Sequence, residues 1–221
     1  MTDESFFREV NQEIRQDRAK AVWKRFGPII IGVAVAVVVG TAAWVAYDYF
    51  VNARANASGD RFSQALTLAS ENKPDEALAA FQALEADGYG AYPLLARMRA
   101  ATLLAQKGDF SGAVAGFDAV AADSGVPQII RDAARIRAAL LLVDHGAYAD
   151  VAGRAEALSG DDNPLRHSAR EALGLSAWKE GRAADALKLF DQVRDDAQAP
   201  AEVRRRAALM AELIRGSGAA S

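Results

Sequence analysis

The apolar residues of the chain are arranged in two different ways, and the first is one uninterrupted stretch. Residues 27–47 read GPIIIGVAVAVVVGTAAWVAY and contain no charged side chain. A helix rises about 1.5 Å per residue, so a stretch of this length crosses a hydrocarbon core about 30 Å thick. We expect one membrane-spanning helix at residues 27–50, followed by a linker at residues 51–57.

The basic residues on either side of this stretch indicate its orientation. Arg15, Arg18, Lys20, Lys24 and Arg25 precede it, whereas only Arg54 and Arg61 follow within a comparable distance. Basic flanks stay in the cytoplasm. We therefore expect residues 1–26 to be a cytoplasmic juxtamembrane segment. The chain after the apolar stretch is expected to lie on the opposite side of the membrane.

A cleaved signal peptide is the alternative interpretation, because Ala55, Asn56 and Ala57 resemble a cleavage site. The apolar stretch is longer than the roughly 7–15 residues found in signal peptides, and the segment before it is long. These lengths favour an uncleaved anchor.

Two short patterns could mark contacts with other helices. Phe6, Val10 and Ile14 recur every four residues in the juxtamembrane segment and predict one apolar face, which would rest on lipid or dock on a membrane partner. Within the apolar stretch, Gly32, Ala36 and Gly40 share one side, where small residues allow another helix to approach closely. Small residues are also common in any transmembrane helix, so the packing face is one of two interpretations.

From residue 58 the apolar residues follow a helical period and the pattern repeats. Pro93, Pro127, Pro164 and Pro200 stand 34, 37 and 36 residues apart, and a turn signal divides each unit. Proline can begin a helix and glycine can end one, so each unit is expected to form two antiparallel helices. The pattern predicts helices at 59–71, 74–87, 93–107, 110–122, 127–144, 147–158, 164–180 and 183–195, then a capping helix at 200–215 and a frayed tail at 216–221.

This period predicts an all-α fold, an α-solenoid of about four helical hairpins plus the capping helix over residues 58–215. A terminal helix needs a polar outer face, and Arg204, Arg205 and Arg206 suit one.

The units resemble the tetratricopeptide repeat (TPR). The resemblance rests on Leu173, Gly174, Trp178, Gly181, Ala186 and Phe190 in the last unit, on Ala101, Leu104, Gly108, Ala113 and Phe117 in the second, and on Ala65, Leu68, Ala77 and Phe81 in the first. In the third unit Val151 and Ala155 replace the alanine and the aromatic residue. We expect altered helix packing there.

In such solenoids the first helices of the hairpins line the concave side, the usual ligand surface. The resemblance places ten side chains there: Phe62, Leu66, Met98, Thr102, Ile136, Leu140, Val143, Glu171, Leu175 and Trp178. This mostly apolar groove could bind an apolar or amphipathic segment of a partner, with Trp178 and Met98 as anchors. The alternative is that the stripe packs against neighbouring helices as core.

The composition offers little for catalysis. The chain has 221 residues, no cysteine and a net charge of −3, which excludes a thiol nucleophile and gives no electrostatic footprint for nucleic acid. His145 and His167 each lack a second histidine at metal-binding spacing, and Asp161 and Asp162 precede Pro164 in a loop, a position that favours helix capping over a carboxylate pair. We expect no catalytic residues, no metal, no cofactor and no small-molecule substrate.

The layout as a whole resembles the bitopic TPR proteins of bacterial inner membranes, and most closely the ancillary subunits of the Sec translocon (YfgM-like). The resemblance rests on SFFREVNQEIR at 5–15, WKRFGP at 23–28, the single anchor and a repeat domain of this size. It implies a single-pass protein with a periplasmic C-terminal domain, a non-catalytic adaptor between the translocon and periplasmic chaperones. A scaffold for envelope assembly or cell division is the alternative, because such scaffolds also use anchored TPR domains.

Overall fold

The computed structural model describes the backbone of residues 3–219 and the side chains of residue 20 and of residues 23–219. The chain divides into two units, Met1–Asn56 and Ala57–Ser221. The side chains of Phe6, Val10 and Ile14, and the end of the expected tail, lie outside the described residues. Over residues 3–219 the secondary structure is helical and contains no strand, as the sequence predicts.

The helices alternate with short turns. Their bounds are α1 Asp3–Ser70, α2 Pro74–Asp87, α3 Tyr92–Gln106, α4 Phe110–Ala122, α5 Gln128–His145, α6 Tyr148–Ala155, α7 Arg166–Lys179, α8 Ala183–Asp195 and α9 Ala201–Gly216, with a 3₁₀ turn at Glu156–Leu158. The expected linker at 51–57 is helical and forms part of α1. From α2 to α9 the predicted helices agree with these bounds to within about three residues, whereas the helix predicted at 59–71 is the C-terminal part of α1 and not a separate helix.

The first unit holds the apolar part of α1. Among the residues that can be assessed, α1 is the one helix long and apolar enough to cross a membrane. Its isoleucine and valine side chains are exposed between residues 29 and 45, and the Thr41 hydroxyl donates to the Val37 carbonyl oxygen at 2.8 Å. A hydrocarbon environment requires its polar groups to be satisfied internally, so this helix is compatible with single-pass membrane anchoring.

Within the second unit, the turns inside three of the hairpins share one backbone conformation. Asn72, Gly108 and Gly181 occupy the same place in hairpins one, two and four, with φ of 61°, 85° and 77°. Glycine and asparagine tolerate this left-handed region better than other residues, which explains the predicted turn signals. In the third hairpin Gly146 is extended instead, with φ of −135°.

Four core clusters fill the second unit in chain order, and their buried residues span 65–103, 101–138, 136–173 and 177–214. Phe81, Phe117 and Phe190 lie in three of them and are almost fully buried. Each aromatic ring comes from the second helix of a hairpin. Each cluster also includes buried residues of the following helix, α3, α5, α7 or α9, so no hairpin completes its core alone.

The third hairpin lacks such an aromatic residue, and its second helix is shorter. α6 ends after Ala155, the chain continues as the 3₁₀ turn, and Leu158 enters the core beside Val151 and Ala155. This confirms the altered packing expected from the sequence. Val151 and Ala155 together fill less volume than the alanine and phenylalanine at the same positions of the other hairpins. The tighter 3₁₀ turn brings Leu158 into the volume that they leave.

Arginine–aspartate pairs close the open ends of the other three hairpins. Arg61 binds Asp87 at 2.7 Å, Arg97 binds Asp123 at 2.8 Å, and Arg166 binds Asp196 at 2.9 Å. Arg97 and Arg166 are near the starts of α3 and α7, whereas Arg61 is in the last three turns of α1, and in each pair the aspartate is at the end of the second helix. The guanidinium of Arg97 and the backbone N–H of Gly125 lower the pKa of Asp123 below its ordinary value.

Substituting Gly174 tests the close approach inside the fourth hairpin. A Cβ atom at Gly174 would lie 3.0 Å from the Phe190 ring, so we expect Gly174→Ala to destabilise the protein by about 1–3 kcal/mol. Gly153 on α6 has open space, and Gly153→Ala should stabilise by roughly 0.5–1 kcal/mol. Thermal unfolding of the full-length protein in detergent, followed by circular dichroism, compares the two. Equal effects would contradict the packing described.

Candidate interaction surface

The first helices of successive hairpins present one stripe each, and the stripes form a shared surface. On α3, Leu95, Arg99 and Thr102 are spaced four and three residues apart, and on α5, Arg137 and Leu140 continue the row. The Arg137 guanidinium contacts the Thr102 hydroxyl at 3.5 Å, which places the two stripes side by side. Residues at the corresponding repeat positions are Leu66 on α1 and Leu175 on α7. We call the first helix of each hairpin its A helix, and these seven residues the A-helix surface.

The A-helix surface includes four of the ten groove residues expected from the sequence: Leu66, Thr102, Leu140 and Leu175. Leu140 is 41% exposed, whereas the other three are half-buried. Leu66 and Leu175 also pack against core clusters. The structure therefore places these residues at the border between core and surface.

The other six expected groove residues are buried or half-buried. Ile136 and Val143 are buried together in the third core cluster, while Phe62, Met98 and Trp178 are half-buried against three different clusters. Glu171 is buried and binds Arg206 of α9 through two hydrogen bonds of 2.6 and 2.9 Å. Truncating Met98 or Trp178 would therefore disturb the core as well as the surface.

Sequence reasoning did not identify the exposed members, Leu95, Arg99 and Arg137. The repeat signature records residues that pack between helices, and these three do not. The available signal was the position of Arg99 and Arg137 one residue after the half-buried Met98 and the buried Ile136.

The A-helix surface carries two exposed arginines, Arg99 and Arg137. Within the part of the chain whose side chains are described, neither Arg99 nor Arg137 pairs with a carboxylate. The α5 stripe ends at Asp144, two turns beyond Arg137, so the excess charge lies around the two arginines. A surface of exposed leucines and unpaired guanidinium groups is complementary to a segment that carries apolar and acidic side chains.

A second polar region surrounds the start of α7, where four charged or polar residues are buried: Arg166, His167, Arg170 and Glu171. Asp196, after α8, accepts hydrogen bonds from Arg166 at 3.0 Å and contacts His167 Nε2 at 2.8 Å. Arg170 donates to the Ser159 carbonyl oxygen at 2.9 Å and binds Asp161. Every one of the four has a partner, so the region joins the third and fourth hairpins and α9.

Both histidines make contacts that explain their positions without catalysis. His145 stacks on Phe110 with ring centroids 3.5 Å apart, and His167 contacts Asp196. Asp161 binds Arg170, and no side chain caps α7 at Leu165, so the capping expected of Asp161 and Asp162 is wrong. Among the described residues, no group of three acidic or histidine side chains could hold a metal ion.

The fold and this surface define a helical-repeat protein with an exposed apolar helix at its N-terminal side. Residues 20–161 match the family described as tetratricopeptide repeat-like domain. The match covers more than half of the chain, which therefore belongs to that family. It includes the apolar part of α1 and the first three hairpins and ends before α7. Comparisons with curated proteins and with solved structures give no match.

The polar region at α7 predicts that the stability of the protein decreases at acidic pH. The hydrogen bond from His167, the backbone N–H of Gln198 and the Arg166 guanidinium lower the pKa of Asp196 well below its ordinary value. The ionised carboxylate therefore stabilises the fold above about pH 4, the ordinary aspartate range, and this contribution is lost as the pH falls toward the lowered native pKa. We expect Asp196→Asn to lower the melting temperature at pH 7 and to differ less from wild type at pH 3.

The control is Asp144→Asn, because Asp144 is exposed and makes no ion pair among the described side chains. It should leave the melting temperature nearly unchanged at both pH values. A deficit of Asp196→Asn that is as large at pH 3 as at pH 7 would contradict an ionised Asp196 as its cause.

Proposed function

We propose that the protein is a membrane-anchored, non-catalytic adaptor whose TPR-like domain binds protein partners. The observation that carries this proposal is the family match, because it takes in the apolar helix together with the repeats. A repeat solenoid supplies an extended surface for other chains, and an anchor raises its local concentration beside a membrane complex. Weak contacts to each partner would then suffice.

The anchor is proposed to lie in a bacterial inner membrane with residues 1–26 in the cytoplasm and the repeat domain in the periplasm. The excess of basic residues before the apolar stretch supports this orientation. The resemblance of residues 5–15 and 23–28 to the ancillary translocon subunits supports a place beside the Sec translocon, with periplasmic chaperones as the partners of the repeats. Gly32, Ala36 and Gly40 are the proposed helix-packing side, since the two glycines have open surroundings and Ala36 is exposed.

The A-helix surface is the proposed docking site for such a partner. Its occupant is an amphipathic segment of another protein with acidic side chains, because Arg99 and Arg137, which form no ion pair among the described side chains, are exposed together with Leu95 and Leu140. The leucines would bury apolar area, while the guanidinium groups would fix the position of the segment through charge-assisted hydrogen bonds.

Affinity purification of the full-length protein from native membranes in mild detergent, read by mass spectrometry, tests the setting. A variant limited to residues 1–57 is the control. We expect translocon subunits with both forms and periplasmic chaperones with the full-length form alone. Recovery of division or envelope-assembly factors without translocon subunits would contradict the proposal and favour the scaffold.

Charge reversal on the A-helix surface tests the docking site separately. We expect Arg99→Glu combined with Arg137→Glu to reduce the recovery of periplasmic partners about tenfold, because two favourable surface charge pairs become repulsive. Lys188→Glu is the matched control, since Lys188 is exposed on α8 and forms no ion pair among the described residues. Equal losses in both variants would exclude a specific role for the A-helix surface.

A further inference from the structure

The outer face of α9 is unusual for the end of a repeat array. Leu209 and Leu213 stand one turn apart on it and are 65% and 55% exposed. The opposite face packs inward through Ala207, Ala211 and Ile214. The polar outer surface expected of a capping helix is therefore interrupted at its centre. Leu209 is more exposed than any apolar side chain of the A-helix surface.

Charged residues of opposite sign border the two leucines along one edge. Arg205 and Glu212 are seven residues apart, which is two helical turns, so they lie on the same edge. The side chain of Arg205 is 72% exposed and that of Glu212 is 77% exposed. Their present partners, Glu202 and Arg215, belong to the same helix. Such exposed pairs are weak and can take up a further partner.

The charges of Arg205 and Glu212 along α9 are complementary to those of a second α9 that runs in the opposite direction. In two helices related by a two-fold axis and packed antiparallel, each edge meets the same edge of the other helix. Arg205 of one copy then faces Glu212 of the second copy, and the reciprocal pair forms on the other side of the axis. The axis passes between positions 208 and 209, which brings the two Leu209 side chains together at its centre.

We propose that α9 is a self-association surface, on which two copies of this chain pack their last helices antiparallel. The Leu209 side chains of the two copies bury one another, and two Arg205–Glu212 pairs set the direction and register. In a parallel two-fold pair this edge would meet the opposite edge of the other helix, so the Arg205–Glu212 pairs could not form. The contact is small, so the dimer is expected to be reversible rather than permanent.

Charge reversal provides the first test, using full-length protein purified in mild detergent and sedimentation at several concentrations. Arg205→Glu or Glu212→Arg alone should weaken dimerisation about tenfold, because each creates two repulsive pairs. The double variant Arg205→Glu with Glu212→Arg should restore it, since the charges are complementary again. Leu209→Asp should abolish the dimer, and circular dichroism should show an unchanged fold in all four variants.

Cross-linking tests the direction of packing, and the absence of native cysteine makes the result specific. Arg205→Cys protein mixed with Glu212→Cys protein of a different tag size should give mixed disulfide-linked pairs. Either protein alone should give few pairs.

Three results would overturn the proposal. Dimerisation that is unaffected by the single charge reversals would assign any self-association to another part of the chain, such as the apolar helix. Failure of the double variant to restore dimerisation would exclude the Arg205–Glu212 pairs. Cross-linking of Arg205→Cys protein with itself, in preference to the mixed pair, would contradict the antiparallel register.

Discussion

Close approach of two helices inside each hairpin is the constraint on which the repeat domain depends. A small residue on the first helix leaves room that the second helix fills, as Gly174 does for the Phe190 ring. In the second hairpin both helices contribute a small residue to the contact, because Gly116 of α4 lies directly over Ala101 of α3. Without these small residues the helices would stand too far apart for the aromatic side chains to reach the next hairpin. The cores between successive hairpins would then lack the aromatic side chains that fill them.

The regular part of this architecture could be predicted from the sequence because it depends on local signals. Proline at the start of hairpins, left-handed turn residues such as Gly108 and Gly181, and the alternation of small and aromatic residues each act within one hairpin. The same local pattern also predicted that helix packing differs in the third hairpin, because Val151 and Ala155 replace the alanine and the aromatic residue there. The 3₁₀ turn that brings in Leu158 was not foreseeable, because it results from a volume that neighbouring hairpins leave open.

The binding surface was harder to predict for a related reason. Met98 and Arg99 are adjacent in sequence, and a rotation of α3 by one residue would exchange which of them faces outward. That rotation is set by contacts with α2, α4 and α5 together, and no single hairpin contains them. The buried charges of α7 illustrate the same limit, since Glu171 finds its partner in α9 and Arg170 finds its partners between α6 and α7.

The buried residues of the four core clusters follow one another along the chain with almost no overlap, and those of each cluster lie within about 40 consecutive residues. The N-terminal hairpins can therefore acquire a core before the C-terminal ones have been made. Low separation between contacting residues also favours rapid folding. For a chain delivered from one end, by a ribosome or through a narrow pore, the order of emergence coincides with the order in which complete packing units become available.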